Sequence, residues 1–438
     1  MAAGEPHDTG TAPSPGALPS SVTRNETKET PPSFGRTLKN RPFFLLWVSQ
    51  LVSQSGDFIF SVALIWLVLE LTRSAFAVGL MVTGMVLPGV LLGPFLGVYI
   101  DRWDRRQTLV ATNVAEGVVV AVLSALVLLG YESTPELFAI VFLLGTGATV
   151  VRVATGAYVP SVVPTGDLPP ANSLLSVTGS MNQIVGLSLG GIFVAVLGVG
   201  PPIEYDALTF FVAAVLLLFI RPLAAEAAAA PSTPPERRFR QELAEGFAFI
   251  RRNRFMVELI VIGVVVNFFG NGLFALFAPY AFSILHGGAA TYGFLGAAVA
   301  AGSLGGAAAI GRVDLRRTAG RFLFAGGFGI GACILALGWA DDVPFALGLM
   351  FGLGVALAVT NIPISVVIQA KVPGQLLGRV GSTFSALITL TSPAGPLFAG
   401  WLAEKWSISG VFVLSGVVFL VVLGAGVATM RSLRSVSY

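Results

Sequence analysis

Five polar residues lie at helical spacing in a largely apolar segment of the first hundred residues. Gln50, Ser53, Gln54, Asp57 and Ser61 occur at positions i, i+3, i+4, i+7 and i+11 and therefore share one face of a helix. An ionisable group inside an apolar helix is costly to bury and is typical of proton relays and ion pathways. We therefore assign Asp57 to proton exchange and Gln50 and Gln54 to substrate contact. A structural hydrogen-bonding role is the alternative for Asp57.

Two more ionisable residues lie inside apolar segments at similar depth. At about 1.5 Å per residue, Glu116 lies roughly 14 Å into the third segment and Arg152 roughly 9 Å from the matching end of the fourth. We predict that they pair, or exchange partners as the molecule changes conformation, and assign both to proton coupling together with Asp57. A static ion pair that only makes a buried arginine tolerable is the alternative.

Two amides lie one helical turn apart in the seventh apolar segment. Asn267 and Asn271 face the same side of a helix. We interpret them as polar contacts for a substrate. Amides that bridge neighbouring helices are an equal alternative.

The composition assigns the chain to the membrane. Of its 438 residues, 55% are hydrophobic and 11% charged, and the mean hydropathy is +0.83, which leaves too little polar surface for a soluble protein. A spanning helix needs about 20 apolar residues. The predicted fold class is all-α, with spans at 43–70, 75–100, 107–130, 136–158, 172–199, 203–220, 255–285, 291–311, 319–339, 343–365, 376–403 and 408–430.

The basic residues predict the side of the membrane on which each loop lies. Nearly all of the 26 Lys and Arg residues fall in the two tails, the central linker and alternate loops, and basic loops stay cytoplasmic. The sequence therefore predicts a multi-pass protein of the cell membrane with both termini in the cytoplasm. The loop 159–171 has neither Lys nor Arg and supports this topology least.

Charge and cysteine content exclude other classes of function. The net charge of +3 follows from the basic loops and gives no reason to expect nucleic-acid binding. The single cysteine, Cys333, forms no intrachain disulfide and no metal-ligand pattern. The sequence has no paired histidines and no phosphate-binding G-x-x-x-x-G-K-[ST] motif. We expect no enzyme, no ATP-driven pump and no cofactor.

The predicted spans fall into two halves. Residues 1–35 form a tail that is rich in Pro, Ser, Thr and Gly and is predicted to be disordered. Six spans fill 36–220, a cytoplasmic linker with an amphipathic helix fills 221–254, six more spans fill 255–430, and 431–438 is a second tail. A constant shift superposes Ser173, Ser176, Ser180 and Gln183 on Ser382, Ser385, Thr389 and Ser392. Two halves of this kind imply a substrate site between them near the midplane.

Charged residues cluster between the second and third spans, where residues 93–106 read GPFLGVYIDRWDRR. This stretch resembles the loop 2–3 signature of the major facilitator superfamily. SQSGD at 53–57 and EGFAFIRRNR at 245–254 resemble its macrolide-efflux and siderophore-exporter branch, and the resemblance runs from about Gly35 to Arg434. It implies the two-half fold with twelve spans and a gate formed by Gly97, Asp101, Arg102, Arg105 and Arg106.

The resemblance also implies how that gate works. Asp101 is expected to meet the start of the eleventh span near Leu377 to Gly381 while the cytoplasmic side is closed, because a helix N-terminus favours an anion. Charges that only set the topology are the alternative. They would explain the arginines but not the aspartates.

A glycine-rich stretch in the fifth span bears on the direction of transport. Exporters of the superfamily carry a motif similar to G-P-x-x-G-G there, and this chain reads GLSLGG, with Leu187 in the place of the proline. The packing glycines are retained and the kink is lost, which weakens the export signature. We assign helix packing to Gly186, Gly190 and Gly191.

Taken with the resemblance, these residues predict a secondary active transporter. We expect a monomeric antiporter that exports an amphiphilic organic compound (a drug, a macrolide-like antibiotic or a siderophore) across the bilayer in exchange for protons. A lysophospholipid flippase and a nutrient importer are alternatives with the same fold. A transport-inactive scaffold or receptor is the alternative from another class.

Overall fold

The computed structural model describes residue 4 and residues 34–100, 102–130, 133–221, 235–313, 319–372 and 376–429. Twelve helices in this part of the chain are long and apolar enough to cross a membrane. The predicted all-α membrane fold is thereby confirmed. Nearly all of the predicted disordered tail, the tail 431–438 and the gate residue Asp101 lie outside the described residues.

The helices follow the predicted spans, with two additions. A short helix α1 precedes the first span, and the eleventh span is divided into α13 and α14. The bounds are α1 Phe34–Lys39, α2 Arg41–Thr72, α3 Ala75–Ile100, α4 Arg105–Leu129, α5 Thr134–Val162, α6 Leu168–Leu197, α7 Gly200–Leu218, α8 Pro235–Arg252, α9 Arg254–Ser283, α10 Ala289–Ile310, α11 Ala319–Leu337, α12 Val343–Lys371, α13 Leu377–Thr389, α14 Ala394–Lys405 and α15 Ile408–Thr429.

Several charged residues outside the apolar segments have local structural roles. Asp104 caps α4 by accepting a hydrogen bond from the backbone N–H of Gln107 at 2.7 Å, which satisfies a donor that the helix leaves free. Arg36 of α1 forms an ion pair with the buried Asp167 between α5 and α6, with 2.7 Å between Nη2 and Oδ1. The loop 159–171, which has no basic residue of its own, is thus held by an arginine from the N-terminal region.

The two halves share one packing scheme. In the first half α3 packs on α5, α4 on α7 and α2 on α6; in the second half α10 packs on α12, α11 on α15 and α9 on α14. These pairs occupy equivalent positions in each set of six spans. Small residues allow the close approaches: a Cβ on Gly306 would lie 2.9 Å from the carbonyl oxygen of Val355.

The halves meet at one side of the bundle. We call the side where α2 begins and α15 ends the tail side, and the opposite side the far side. Near the far side Gly191 of α6 packs directly on Gly293 of α10, and Gly400 of α14 packs on Phe76 of α3. A little deeper, the Thr83 hydroxyl donates a 2.8 Å hydrogen bond to the carbonyl of Pro393.

The tail side is open in this conformation. Gly97 of α3 and Gly381 of α13 are the glycines that a closed gate would bring near each other. Apart from its own helix backbone, neither has an atom of the described residues within 4 Å of the position that a Cβ would take. In the described part of the chain, the halves are therefore in contact near the far side and apart around these two glycines on the tail side.

The linker helix α8 is docked on α13, in the second half. Glu245 forms an ion pair with Arg379, and Gly246 lies against the carbonyl of Arg379 and the side chain of Thr383. Ile250 is buried in a cluster with Val380. The predicted amphipathic helix is thus part of the second half and holds the tail-side part of its broken span.

We expect the backbone contact, more than the ion pair, to hold α8 in place. A Cβ in Gly246→Ala would lie 2.6 Å from the Arg379 carbonyl, and overpacking of this kind costs about 1–3 kcal/mol. Glu245→Gln removes a half-exposed ion pair, worth about 0–1 kcal/mol. Thermal unfolding in detergent measures both, and Gly381→Ala, at an open site, is the control. A larger loss from Glu245→Gln would contradict this view of the interface.

Candidate functional site

Two adjoining cavities lie among the helices of the first half, and Asp57 and Glu116 line both. The inner chamber has a volume of about 190 Å³, and its polar lining consists of the carboxyl groups of Asp57, Glu116 and Asp206. Its apolar walls include Phe60, Leu64, Met85, Val141, Leu144 and Phe210. The vestibule beside it has a volume of about 280 Å³ and is more polar, with Gln50, Ser53, Gln54, Arg152 and Thr155 in its lining.

Asp57 lies midway along α2 at the junction of the two cavities. The side chain is half-buried and forms no hydrogen bond or ion pair with the described residues. On the preceding turns of α2, Gln54 donates to the side-chain oxygen of Gln50 at 3.4 Å, and both amides line the vestibule. Four of the five polar residues read from the sequence therefore face a cavity, and Asp57 is the innermost of them. Ser61 lines neither cavity and donates to the backbone carbonyl of Phe58.

Glu116 of α4 is only 4% exposed, and its carboxyl group is pressed against Gly147 of α5. A Cβ at Gly147 would lie 2.5 Å from Oε1 of Glu116, so this position accepts only glycine while the carboxyl group stays in place. The second oxygen, Oε2, is buried without a hydrogen-bond partner.

Arg152 is exposed in the vestibule, and its guanidinium group lies near Gly89 of α3. It forms no ion pair with any of the described residues, so the predicted pair with Glu116 is not formed in this conformation. The physical reason is that Glu116 is held in the helix interface by Gly147, whereas the guanidinium group remains in the open vestibule, where water can solvate it.

Asp206 of α7 is a third acidic residue that the sequence analysis missed. It is 1% exposed and packs against Gly56 of α2, and its Oδ2 atom has no hydrogen-bond partner. Its carboxyl group lines the inner chamber but not the vestibule. The sixth span was predicted to start at 203, which placed Asp206 near the membrane surface. An acidic residue within an apolar segment was the signal that could have identified Asp206 as a functional residue.

The two amides of the second half lie at the break in the eleventh span. Oδ1 of Asn267 accepts a 2.7 Å hydrogen bond from the hydroxyl of Ser392, which lies between α13 and α14. Asn271 donates from Nδ2 to the backbone carbonyl of Asn267 at 2.8 Å. In this conformation Asn267 links α9 to the break in the eleventh span, as in the bridging alternative that the sequence left open.

The gate arginines bind within their own half here. Arg105 donates to the hydroxyl of Ser161 on α5 at 3.2 Å, and Arg106 donates to the carbonyls of Leu217 and Leu218 at the end of α7. Arg102 is exposed. These contacts tie α4 to its neighbours on the open tail side, and the gate contact of Asp101 with the eleventh span remains a prediction.

The glycines of the fifth span contact two different helices. Gly186 and Gly190 pack on α2 at Phe58 and Ile59, whereas Gly191 packs on α10 in the other half. Leu187, which replaces the expected proline, fills the space against Gly296 of α10. The same short stretch therefore holds the fifth span in its half and closes the far side.

The twelve spanning helices, in two halves that pack alike, form a fold of the major facilitator type. Two solved structures share the fold. The nucleoside transporter NupG superposes with a TM-score of 0.66 at 12% identity, over 89% of this chain and 99% of the other. A bacterial homologue of the human lysosomal transporter Spinster superposes with a TM-score of 0.65 at 15% identity, over 91% and 98%.

The sequence identifies the family within that class. The model of the transmembrane secretion effector family matches residues 35–436, and the chain belongs to this family of major facilitator transporters. The uncharacterized transporter YvqJ of Bacillus subtilis is 22% identical over 90% of this chain and 93% of its own length. Macrolide efflux protein A of Streptococcus pyogenes is 23% identical over 86% and 93%. The multidrug efflux pump Tap of Mycobacterium bovis is 23% identical over 86% and 91%.

Proposed function

We propose that this protein exports an amphiphilic organic compound across the cell membrane in exchange for protons, as a monomer with both termini in the cytoplasm. The tail side is then the cytoplasmic side, and the conformation described above faces inward. Relatives named as macrolide and multidrug efflux proteins support the direction and the class of substrate.

The observation that carries the proposal is the position of Asp57 and Glu116 between a polar cavity and a largely apolar one. Exchange needs a carboxyl group that gains a proton in one conformation and loses it in another, and only a group whose surroundings differ between the two can do this. Here both groups reach the vestibule on one side and the apolar chamber on the other. Arg152 in the vestibule provides a positive charge near a carboxylate that has lost its proton.

Inside-out vesicles test the function directly. With the lumen acidified, vesicles that contain the protein should accumulate a macrolide or a lipophilic cationic dye, and an uncoupler should release it. Vesicles without the protein are the control. If only a labelled lysophospholipid moves, the result would favour the flippase. Accumulation of substrate by right-side-out vesicles would favour the importer. No flux of any of these probes would contradict a transport function.

A further inference from the structure

The inner chamber contains more acidic groups than the proposed function uses. Asp57 from α2, Glu116 from α4 and Asp206 from α7 project into one cavity with apolar walls. Burying even one unpaired carboxylate is costly, and three in one cavity would also repel one another. The two buried groups, Glu116 and Asp206, are therefore favoured in a neutral form, and a charge on the half-buried Asp57 beside them would add repulsion.

Among the residues that the structure describes, no cation faces Asp206. Of the helices that pack on α7, α2 provides Asp57, α4 provides Glu116 and α6 has no charged residue over its whole length. On α7 itself, Glu204 and Tyr205 point away from the chamber and are exposed. Arg152 of α5 lines the vestibule but not the inner chamber.

A metal ion does not suit the arrangement. Within the described ranges, no three acidic, histidine or cysteine side chains converge in a way that could hold one. Protons remain as the neutralising species, because each carboxyl group can hold one without a shell of further ligands.

Buried polar atoms without partners point to the same place. Glu116 Oε2 and Asp206 Oδ2 are buried and unpartnered at the chamber. The described part of the chain has three other such atoms, Asn113 Oδ1 on α4 and Thr155 Oγ1 and Tyr158 Oη on α5. All three lie in the first half, between the tail side and the depth of Glu116. Unsatisfied polar groups are rare in protein interiors and mark places where water or a proton binds.

We propose that Asp57, Glu116 and Asp206 form one shared proton-holding site inside the first half, in which Asp206 is an additional proton carrier. Asp206 lines only the inner chamber, so its proton passes through the two carboxyl groups that also reach the vestibule. The site lies among the helices of one half, apart from the space between the halves. The use of these protons for export rests on the proposed function, whereas the existence of the site does not.

Infrared spectroscopy of the purified protein over a pH series tests the proposal, because protonated carboxyl groups have their own C=O stretching band. We expect wild-type protein to show this band at neutral pH and Asp206→Asn to lose about one third of it. The remaining band should disappear at a lower pH than in wild type, because one source of like-charge repulsion is gone. Glu204→Gln, two residues away on the exposed face of α7, is the matched control and should leave the spectrum unchanged.

A second variant keeps all three carboxyl groups. The hydroxyl of Thr209 lies 3.4 Å from Oδ1 of Asp206 and can donate to it. Thr209→Val should therefore keep the band intensity but move the pH at which the band disappears. A wild-type spectrum without the band at neutral pH would overturn the proposal, as would spectra of Asp206→Asn and Thr209→Val that match wild type.

Transport assays separate this proposal from the proposed function. If gradient-driven export is absent but the shared band is present and sensitive to Asp206→Asn, the function is wrong and the site stands. If export occurs but the band does not respond to Asp206→Asn, the function stands and Asp206 is not a proton carrier.

Discussion

Asp57→Asn is expected to abolish uphill export driven by a pH gradient. For exchange of one proton per substrate, each pH unit supports about a tenfold concentration ratio, because it corresponds to about 1.4 kcal/mol. Asparagine keeps the size and much of the hydrogen-bonding capacity of the side chain but holds no exchangeable proton. The accumulation ratio in inside-out vesicles should therefore fall to about one, and this is the measurement.

The same variant should retain the steps that need no net proton movement. Equilibrium binding and counterflow exchange of substrate should remain close to wild type if Asp57 carries the proton. Glu70→Gln, also on α2 but exposed beyond the buried stretch, is the control and should accumulate substrate normally. Gradient-driven accumulation by Asp57→Asn would remove this residue from the mechanism and make Glu116 the next candidate. Loss of binding together with counterflow would make Asp57 a substrate contact.

Gly191→Leu is expected to reduce transport by at least tenfold, because it prevents the halves from closing near the far side. Even a Cβ at this position would lie 2.8 Å from the carbonyl oxygen of Ala289 and 3.0 Å from the Cα of Gly293. A leucine must therefore separate α6 from α10. The transporter should then populate the conformation that is open on the far side and closed on the tail side.

Cross-linking can measure this shift, because Cys333 is the single cysteine of the chain. In a Cys333→Ser background, cysteines introduced at Gly97 and Gly381 should cross-link more with Gly191→Leu than without it. Ala195→Leu adds the same side chain at an exposed site of α6 and should change neither transport nor cross-linking. Unchanged transport in Gly191→Leu would show that the contact of Gly191 with Gly293 does not close the far side.

The sequence alone was sufficient for the fold class, the twelve spans and the presence of buried acidic residues. Spanning helices are local features, since each needs only about 20 apolar residues, and helical periodicity places Asp57 on one face with Gln50 and Gln54. The break in the eleventh span was not predicted. It depends on a contact with another helix, because the Ser392 hydrogen bond to Asn267 lies at the break.

Only the tertiary structure decided which polar groups meet. Glu116 and Arg152 lie at a similar depth in the membrane, which suggested that they would pair. Depth does not specify which helix surface lies opposite a side chain, however. Here Gly147 leaves room for the carboxyl group of Glu116 between α4 and α5. Gly56 in the same way makes room for Asp206 beside α2 and brings a third carboxyl group into the inner chamber. Periodicity determines the face and depth of a side chain within its own helix, whereas its partners depend on where small residues let two helices approach.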